Sequence, residues 1–347
     1  MDKKLEKIAE VLKKEGSTVT FFVGAGISTN CGIPDFRSPK TGLYANLQRL
    51  NLPYPEAVFD IEYFKKSPKA FYTLADELFP GKFLPSIFHY FIKLCQDKGK
   101  LRRCYSQNID TLERIAGVED DKIVEAHGSF ANSHCITCKA EMETKVLRKL
   151  MKTGIPKCPV CKGYVKPDIV FFGEGLPSKF FDLWDEDCDT EKNLAIVAGT
   201  SLAVFPFANL PHEINKNCKR VLINREKCGT FLDSPRKTDI ILLEDCDKIA
   251  EKLVDLLGWK TELDALIAKG KKKMETEKKL VEESESESES EEEEADKHKG
   301  VEKAEKLSKE VAAKVAKAEE GSKEGSTRGK EDKDVVDLAS DLEKTKI

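Results

Sequence analysis

No stretch of the 347-residue chain approaches the roughly 18 consecutive apolar residues of a membrane span, so no membrane partner is expected. The first residues, MDKKLEKIAEVLKKEG, lack the apolar core of a secretory signal and read as a charged amphipathic helix. No clustered basic stripe is present, which argues against direct nucleic-acid binding. The end of the chain is poorer still. Residues 261–347 contain no Phe, Tyr, Trp or Cys. Such a segment cannot bury enough apolar surface to offset its ordering, so a mostly disordered charged tail with scattered helical stretches is expected there.

What remains is concentrated in residues 1–260, which hold all 18 Phe, 7 Tyr, 2 Trp and 11 Cys. Charge divides in the same way, with −7 in 261–347 and +3 in 1–260 of the total −4. The front is long enough to bury a large core. Eleven cysteines spread over an unsignalled chain fit a reducing compartment, with thiols buried or on metal, better than a disulfide framework.

Apolar, β-branched runs alternate with helical patterns, the mark of a parallel α/β sheet. The expected strands are Val19–Val23, Cys104–Ser106, Ile123–Ala126, Ile169–Phe172, Leu194–Ala198, Val221–Ile223 and Ile240–Leu243. Strands buried on both faces read as continuous apolar runs, and VTFFVGAG and LAIVAG do so. DKIAEKLVDLLGW has apolar residues at helical spacing, and the domain is expected to end there, at about residue 260. Two stretches interrupt the alternation. Residues about 40–100 suggest a helical insert, and residues about 130–166, with clustered cysteines, a second one.

In that second insert, Cys135-x2-Cys138 and Cys158-x2-Cys161 can place four thiolates around one Zn²⁺. Four thiolates leave no open position, so the expected zinc is structural. Two redox pairs are the alternative; the tight spacing on both sides of a short insert favours metal. His134 is superfluous as a ligand. In FVGAGIST, Gly24 and Gly26 at a strand-to-helix junction suit a backbone close to a pyrophosphate, although Thr29 stands where a full dinucleotide fingerprint has a third glycine. By itself a plain tight turn explains this motif. Further polar clusters follow the expected strands, however: Asp35-Phe36-Arg37, Gln107-Asn108-Ile109-Asp110, His127-Gly128, Gly199-Thr200-Ser201 and Asn224-Arg225-Glu226. Ligands of open α/β sheets bind beyond the carboxyl ends of strands, so these clusters should converge on one crevice.

GAGIS, PDFRS, QNID, HG, the paired CxxC, VFFGE, GTS and NRE occur in an order that resembles the sirtuins, the silent-information-regulator family of NAD-dependent protein deacylases, over about residues 18–259. PDFRSPKTGLY, LPYPEAVF and KPDIVFFGEGLP look most like the fungal and animal cytoplasmic branch of class I. The resemblance implies a Rossmann-like parallel-sheet domain with a smaller zinc-binding and helical-insert domain. It implies NAD-binding positions at Gly24, Ala25, Gly26, Ile27, Ser28, Thr29, Asp35, Phe36, Arg37, Gln107, Asn108, Ile109, Asp110, Gly199, Thr200, Ser201, Asn224, Arg225, Glu226 and Cys246. His127 and Asn108 take catalytic positions; Val170, Phe172, Gly173 and Glu174 form the edge to which an acylated peptide adds as a strand.

The implied reaction has the acyl oxygen of an acylated lysine attack the nicotinamide ribose as nicotinamide departs. Asn108 and Asp110 hold the nicotinamide amide, Phe36 shields the sugar from water, and His127 accepts a proton from the ribose hydroxyls. The products are nicotinamide, free lysine and O-acyl-ADP-ribose. Tyr72-Thr-Leu-Ala75 lacks the arginine of relatives that take acidic acyl chains, which implies acetyl or longer apolar acyl groups. Mono-ADP-ribosyl transfer and a catalytically silent NAD- or acyl-lysine-binding scaffold are the rival readings. Histone tails or cytoplasmic proteins are the expected substrates, and a cytoplasmic location with shuttling to the nucleus is the expected setting. In the tail, Ser284, Ser286, Ser288 and Ser290 among glutamates suit an acidophilic kinase, or the segment merely solubilises. Its charge, opposite to the core's, suggests regulation by folding over the active-site face, and DVVDLASDLEKTKI suggests an export or docking segment.

Overall fold

The computed structural model describes residues 1–35, 42–43, 47, 50–189, 193–276 and 279. Phe36, Arg37, the acidic serines and the terminal DVVDLASDLEKTKI lie outside the described residues.

Six strands form one parallel sheet: β1 (Thr18–Val23), β2 (Leu101–Ser106), β3 (Ile123–Glu125), β6 (Asn193–Ala198), β7 (Lys219–Asn224) and β8 (Ile240–Leu243), in the order β3-β2-β1-β6-β7-β8. Two further strands, β4 (Ser133–Cys135) and β5 (Val165–Pro167), make a separate antiparallel hairpin. The helices are α1 (Asp2–Lys13), α2 (Ile61–Lys66), α3 (Lys69–Leu78), α4 (Ile87–Asp97), α5 (Leu112–Ile115), α6 (Thr144–Thr153), α7 (Ser178–Asp187), α8 (Leu210–Glu213), α9 (Thr230–Asp233) and α10 (Cys246–Leu257). A further helix, α11, occupies residues 260–276.

The apolar character of β1 follows from cover on both faces. Phe21 and Val23 pack with α1, α4 and α10 through Leu5, Ile8, Phe88, Phe91, Ile249 and Leu253. Phe22 points the other way, to Tyr105, Phe180, Trp184 and Phe207. Strand alternation thus delivers adjacent phenylalanines to opposite cores. Strand order reverses at β1, whose neighbours are β2 and β6, so the carboxyl ends of these three strands flank a crevice.

Three expectations change. The helical insert is shorter than residues 40–100: the core around Val58, Phe64, Phe71 and Phe79 belongs to it, but α4 packs on the sheet. The apolar stripe of IFHYFIKL is what covers Phe21. Ile169–Phe172 is not a strand of the sheet. Its amides bond to two different segments, Val170 N to His127 O at 2.8 Å and Phe172 N to Phe59 O at 2.8 Å, so no continuous ladder forms. The chain also continues past 260 as part of the compact unit Met1–Thr276, because α11 buries Leu263 completely and sets Leu266 and Ile267 against the same core. Three aliphatics on one helix face suffice for docking where no aromatic is present.

Among the described residues, no helix is long and apolar enough to cross a membrane.

Candidate functional site

A cavity of about 660 Å³ opens at the strand-order reversal, within the range of small-molecule sites. It gathers residues from six separate parts of the chain: Gly24, Ala25, Gly26, Thr29 and Asp35 after β1; Gln107, Asn108 and Ile109 after β2; His127 after β3; Gly199, Thr200 and Ser201 after β6; Asn224, Arg225 and Glu226 after β7; and Cys246 at the start of α10. Val170, Phe172, Gly173 and Glu174 form the opposite wall, with Phe59 and Ile169. Nearly every position singled out in the sequence therefore meets here.

Among the described NAD-binding and substrate positions, three do not line the cavity: Ile27, Ser28 and Asp110. Ile27 is buried in the sheet core. Ser28 is buried and donates to Asp110 Oδ2 at 2.7 Å, while Asp110 Oδ1 accepts from Leu112 N at 3.0 Å. Both carboxylate oxygens of Asp110 are thus engaged one layer behind the wall. Tyr72 and Ala75, from which acyl preference was inferred, sit in the insert core, and the Tyr72 hydroxyl donates to Val165 O on β5.

The segment after β1 is not the start of an α-helix. Ala25–Ile27 and Thr29–Cys31 are single 3-10 turns, and Pro34 follows within one turn, so little helix dipole faces the cavity here. The glycines serve the fold directly. A Cβ on Gly26 would lie 2.6 Å from Gly199 Cα, and Gly26 N donates to Gly199 O at 2.7 Å. The loops after β1 and β6 touch backbone to backbone.

Neighbouring loops are stitched by side chains. Gln107 Nε2 donates to Thr200 Oγ1 at 2.8 Å, and Asn224 Nδ2 donates to Thr200 O at 3.2 Å. Asn108 Nδ2 donates to Gly24 O at 3.3 Å, while its buried Oδ1 has no partner among the described residues. The loop bends through Thr111 at φ 62°, a left-handed conformation costly for a β-branched residue.

His127 Nδ1 lies 3.0 Å from Gln107 O. A carbonyl can only accept, so Nδ1 carries the proton and Nε2 presents a lone pair. That Nε2 is buried and has no partner among the described residues. Burial pushes the imidazole pKa below 6.5, against the opposing Gln107 bond, which keeps the ring neutral. Next to it Gly128, at φ 67°, is required because a Cβ there would fall 1.8 Å from Asp168 O. The histidine turn and the segment leading to Val170 cross in contact.

Behind the wall, Glu113 is fully buried in α5, and Ser106 Oγ donates to its Oε1 at 2.7 Å. Asn108 N donates to the same hydroxyl at 3.1 Å. Burial, then the nearby Asp110, holds the Glu113 pKa well above the carboxylate range. His89 lies with Asp110 and Glu113, but its Nδ1 accepts from Ser86 N at 3.1 Å. Its proton is therefore on Nε2, which makes the trio a poor metal site. In TLERIAG Glu113 stands between Leu112 and the charged Arg114, so nothing in the sequence signals its burial.

Cys135, Cys138, Cys158 and Cys161 bring their sulfurs within 4.8 Å of one another. The Cys135–Cys161 and Cys138–Cys158 separations are 3.4 and 3.6 Å, close to the ~3.8 Å edge of a tetrahedron with Zn–S of about 2.3 Å. Both knuckles turn alike, with Lys139 at φ 60° and Lys162 at φ 63°, and main-chain N–H groups of Thr137 and Gly163 reach sulfurs at 3.4 Å. These residues fit a structural zinc. His134 is turned away, 2.8 Å from Asp168.

Residues 24–206 match the Sir2 family. The chain is 64% identical over 272 residues to the NAD-dependent protein deacetylase HST2 of Candida albicans, covering 78% of this chain and 82% of that protein. The NAD-dependent protein deacetylase hst2 of Schizosaccharomyces pombe is 55% identical, over 76% of this chain and 80% of its own. The NAD-dependent protein deacetylase sirtuin-2 of Danio rerio is 49% identical, over 76% and 74%. Identity at this level, over most of both partners, reflects common descent and not a shared sheet alone: the chain belongs to the Sir2 family.

Proposed function

We propose that the protein removes acetyl, or longer apolar acyl, groups from protein lysines, consuming NAD and releasing nicotinamide, free lysine and O-acyl-ADP-ribose. The observation that carries this reading is the pair of buried atoms, His127 Nε2 and Asn108 Oδ1, that have no partner among the described residues and belong to side chains lining one cavity. Buried polar atoms are rarely left unpaired without a ligand to meet them. The activity for which the relatives are named agrees with it.

NAD, when bound, supplies a ribose carbon activated by its nicotinamide leaving group. Around it Asn108 Oδ1 accepts from an amide N–H, and the loops at Gly24–Gly26 and Gly199–Ser201, with Asn224–Glu226 and Cys246, hold the remainder of the dinucleotide. His127 takes a proton through Nε2 and keeps its orientation through Gln107 O. Phe59, Val170 and Phe172 wall an apolar passage for the acyl-lysine and exclude water. Asp110 acts from behind, by positioning Ser28 and the Asn108 loop. The four cysteines hold zinc as a brace, and no proton or bond of the reaction passes through it.

The test incubates the protein with an acetyl-lysine peptide and labelled NAD. One O-acetyl-ADP-ribose per lysine freed is the expected result. Label fixed on protein, without O-acetyl-ADP-ribose, would replace the deacylase reading by mono-ADP-ribosyl transfer. The proposal extends to histone tails or cytoplasmic proteins as substrates, a cytoplasmic location with nuclear shuttling, and phosphorylation at Ser284, Ser286, Ser288 and Ser290 as a control on the active site. Charge composition supports the last of these.

A further inference from the structure

Lys166 is 6% exposed, unusual for a lysine. An ammonium has three N–H donors, and all three are met: Ile169 O at 2.6 Å, Glu174 Oε2 at 2.9 Å and Pro167 O at 3.3 Å. The same nitrogen lies 4.4 Å from the Phe171 ring centroid. Glu174 Oε2 also accepts from Phe171 N at 2.9 Å, and Glu174 N donates to Phe171 O at 2.9 Å. Lys166 and Glu174 thus close a ring around Ile169–Glu174, the segment that forms one wall of the cavity.

That segment needs holding, because it belongs to no sheet. Its other supports are the main-chain bonds Val170 N to His127 O, Phe172 N to Phe59 O and Ile61 N to Phe172 O, and the packing of the Phe171 ring on Phe59, Phe64 and Phe71; none of these fixes the Glu174 carboxylate. Lys166 itself is firmly placed. It lies on β5, opposite His134 on β4, and the adjacent pair in the register is Cys135 with Val165. The hairpin carrying a zinc ligand therefore sets the position of the ammonium.

We propose that Lys166 is a positioning residue for the acylated substrate: it transmits the geometry of the zinc-braced hairpin to the Ile169–Glu174 wall. The inference rests on the deacylase reading above. It also gives Glu174 a different task from contact with the peptide, since its carboxylate serves as counter-ion to Lys166. Arginine cannot replace this lysine, because a planar fork does not match three partners converging on one nitrogen.

The experiment compares the full chain with Lys166→Met, which keeps the stem and loses the donors, and Lys166→Gln, which keeps two donors on a shorter stem. Zinc content, NAD affinity by calorimetry, and steady-state kinetics with an acetyl-lysine peptide are measured. The expected result is a rise in peptide KM of roughly ten- to a hundredfold, the effect of deleting charged hydrogen bonds. NAD affinity stays within twofold and zinc at wild-type content. Peptide KM within twofold of wild type in both variants overturns the inference. So does a parallel loss of NAD affinity or of zinc in both, which would make Lys166 a support of the fold at large. A wild-type protein that fails to deacetylate the peptide refutes instead the reading on which the inference rests.

Discussion

Replacing Gly26 by alanine separates two explanations of the glycine motif. If the glycine exists so that backbone can approach phosphate, the added methyl weakens NAD binding and leaves stability alone. The structure argues for a cost to the fold itself. The Cβ would lie 2.6 Å from Gly199 Cα, 2.8 Å from its O and 2.9 Å from its C, all backbone atoms that cannot rotate away. Ordinary contact at ~3.4 Å requires the two loops to separate by about 0.8 Å. They follow β1 and β6, which are paired from Thr18–Asn193 to Val23–Ala198, so the shift strains the central ladder. Overpacking of this kind costs about 1–3 kcal/mol. Stretching the Gly26 N to Gly199 O bond adds about 1 kcal/mol. A total of roughly 2–4 kcal/mol, at about 2–4 °C per kcal/mol for a domain near this size, lowers Tm by roughly 4–16 °C. Calorimetry of the apo protein measures this without any ligand. An unchanged Tm beside weakened NAD binding would refute the loop-contact argument.

His127→Asn keeps a donor for Gln107 O and removes the base, so turnover should fall roughly 10²- to 10⁴-fold with NAD affinity little changed. In the wild type, kcat/KM should decline as pH drops through the depressed His127 pKa, below 6.5, and this acid limb should vanish in the residual activity of the variant; a pH–rate profile decides. Zinc chelation should melt the small core of Met142, Leu147 and Val165 and abolish deacetylation, while the sheet keeps its circular dichroism; full activity without metal would contradict the brace. Asp239→Asn leaves the fully buried Arg220 guanidinium without its 2.7 Å carboxylate partner, and a destabilisation of about 3–5 kcal/mol should appear in the denaturant midpoint. Glu113 binds its proton more tightly folded than unfolded, so its contribution is complete below pH 4.5 and is lost as pH rises through the elevated folded pKa. Glu113→Gln should therefore lose less stability than wild type between acid and mildly alkaline pH, as followed by melts across that range. Asp110, Glu125, His89 and Cys104 are the titratable groups facing this carboxyl.

Local chemistry made much of this protein legible from its residues. Buried parallel strands must be apolar on both faces, so VTFFV and LAIVA declare themselves. Two CxxC knuckles constrain their own turns, so the metal set is readable from spacing alone. The clusters after the strands converge because parallel topology brings carboxyl ends together. Tertiary structure decided what depends on a partner distant in sequence. Gly26 answers to Gly199, Gly128 to Asp168, and Glu113 to Asp110 and a shell of apolar neighbours. Ile169–Phe172 has a strand's composition but is divided between His127 and Phe59, so it joins no sheet. Composition placed the end of the domain near 260, yet Leu263 finds a site on the core and carries the helix to 276. Periodicity and spacing report on neighbours along the chain. Close approach, desolvation and docking are set across it, and only the folded molecule supplies those distances.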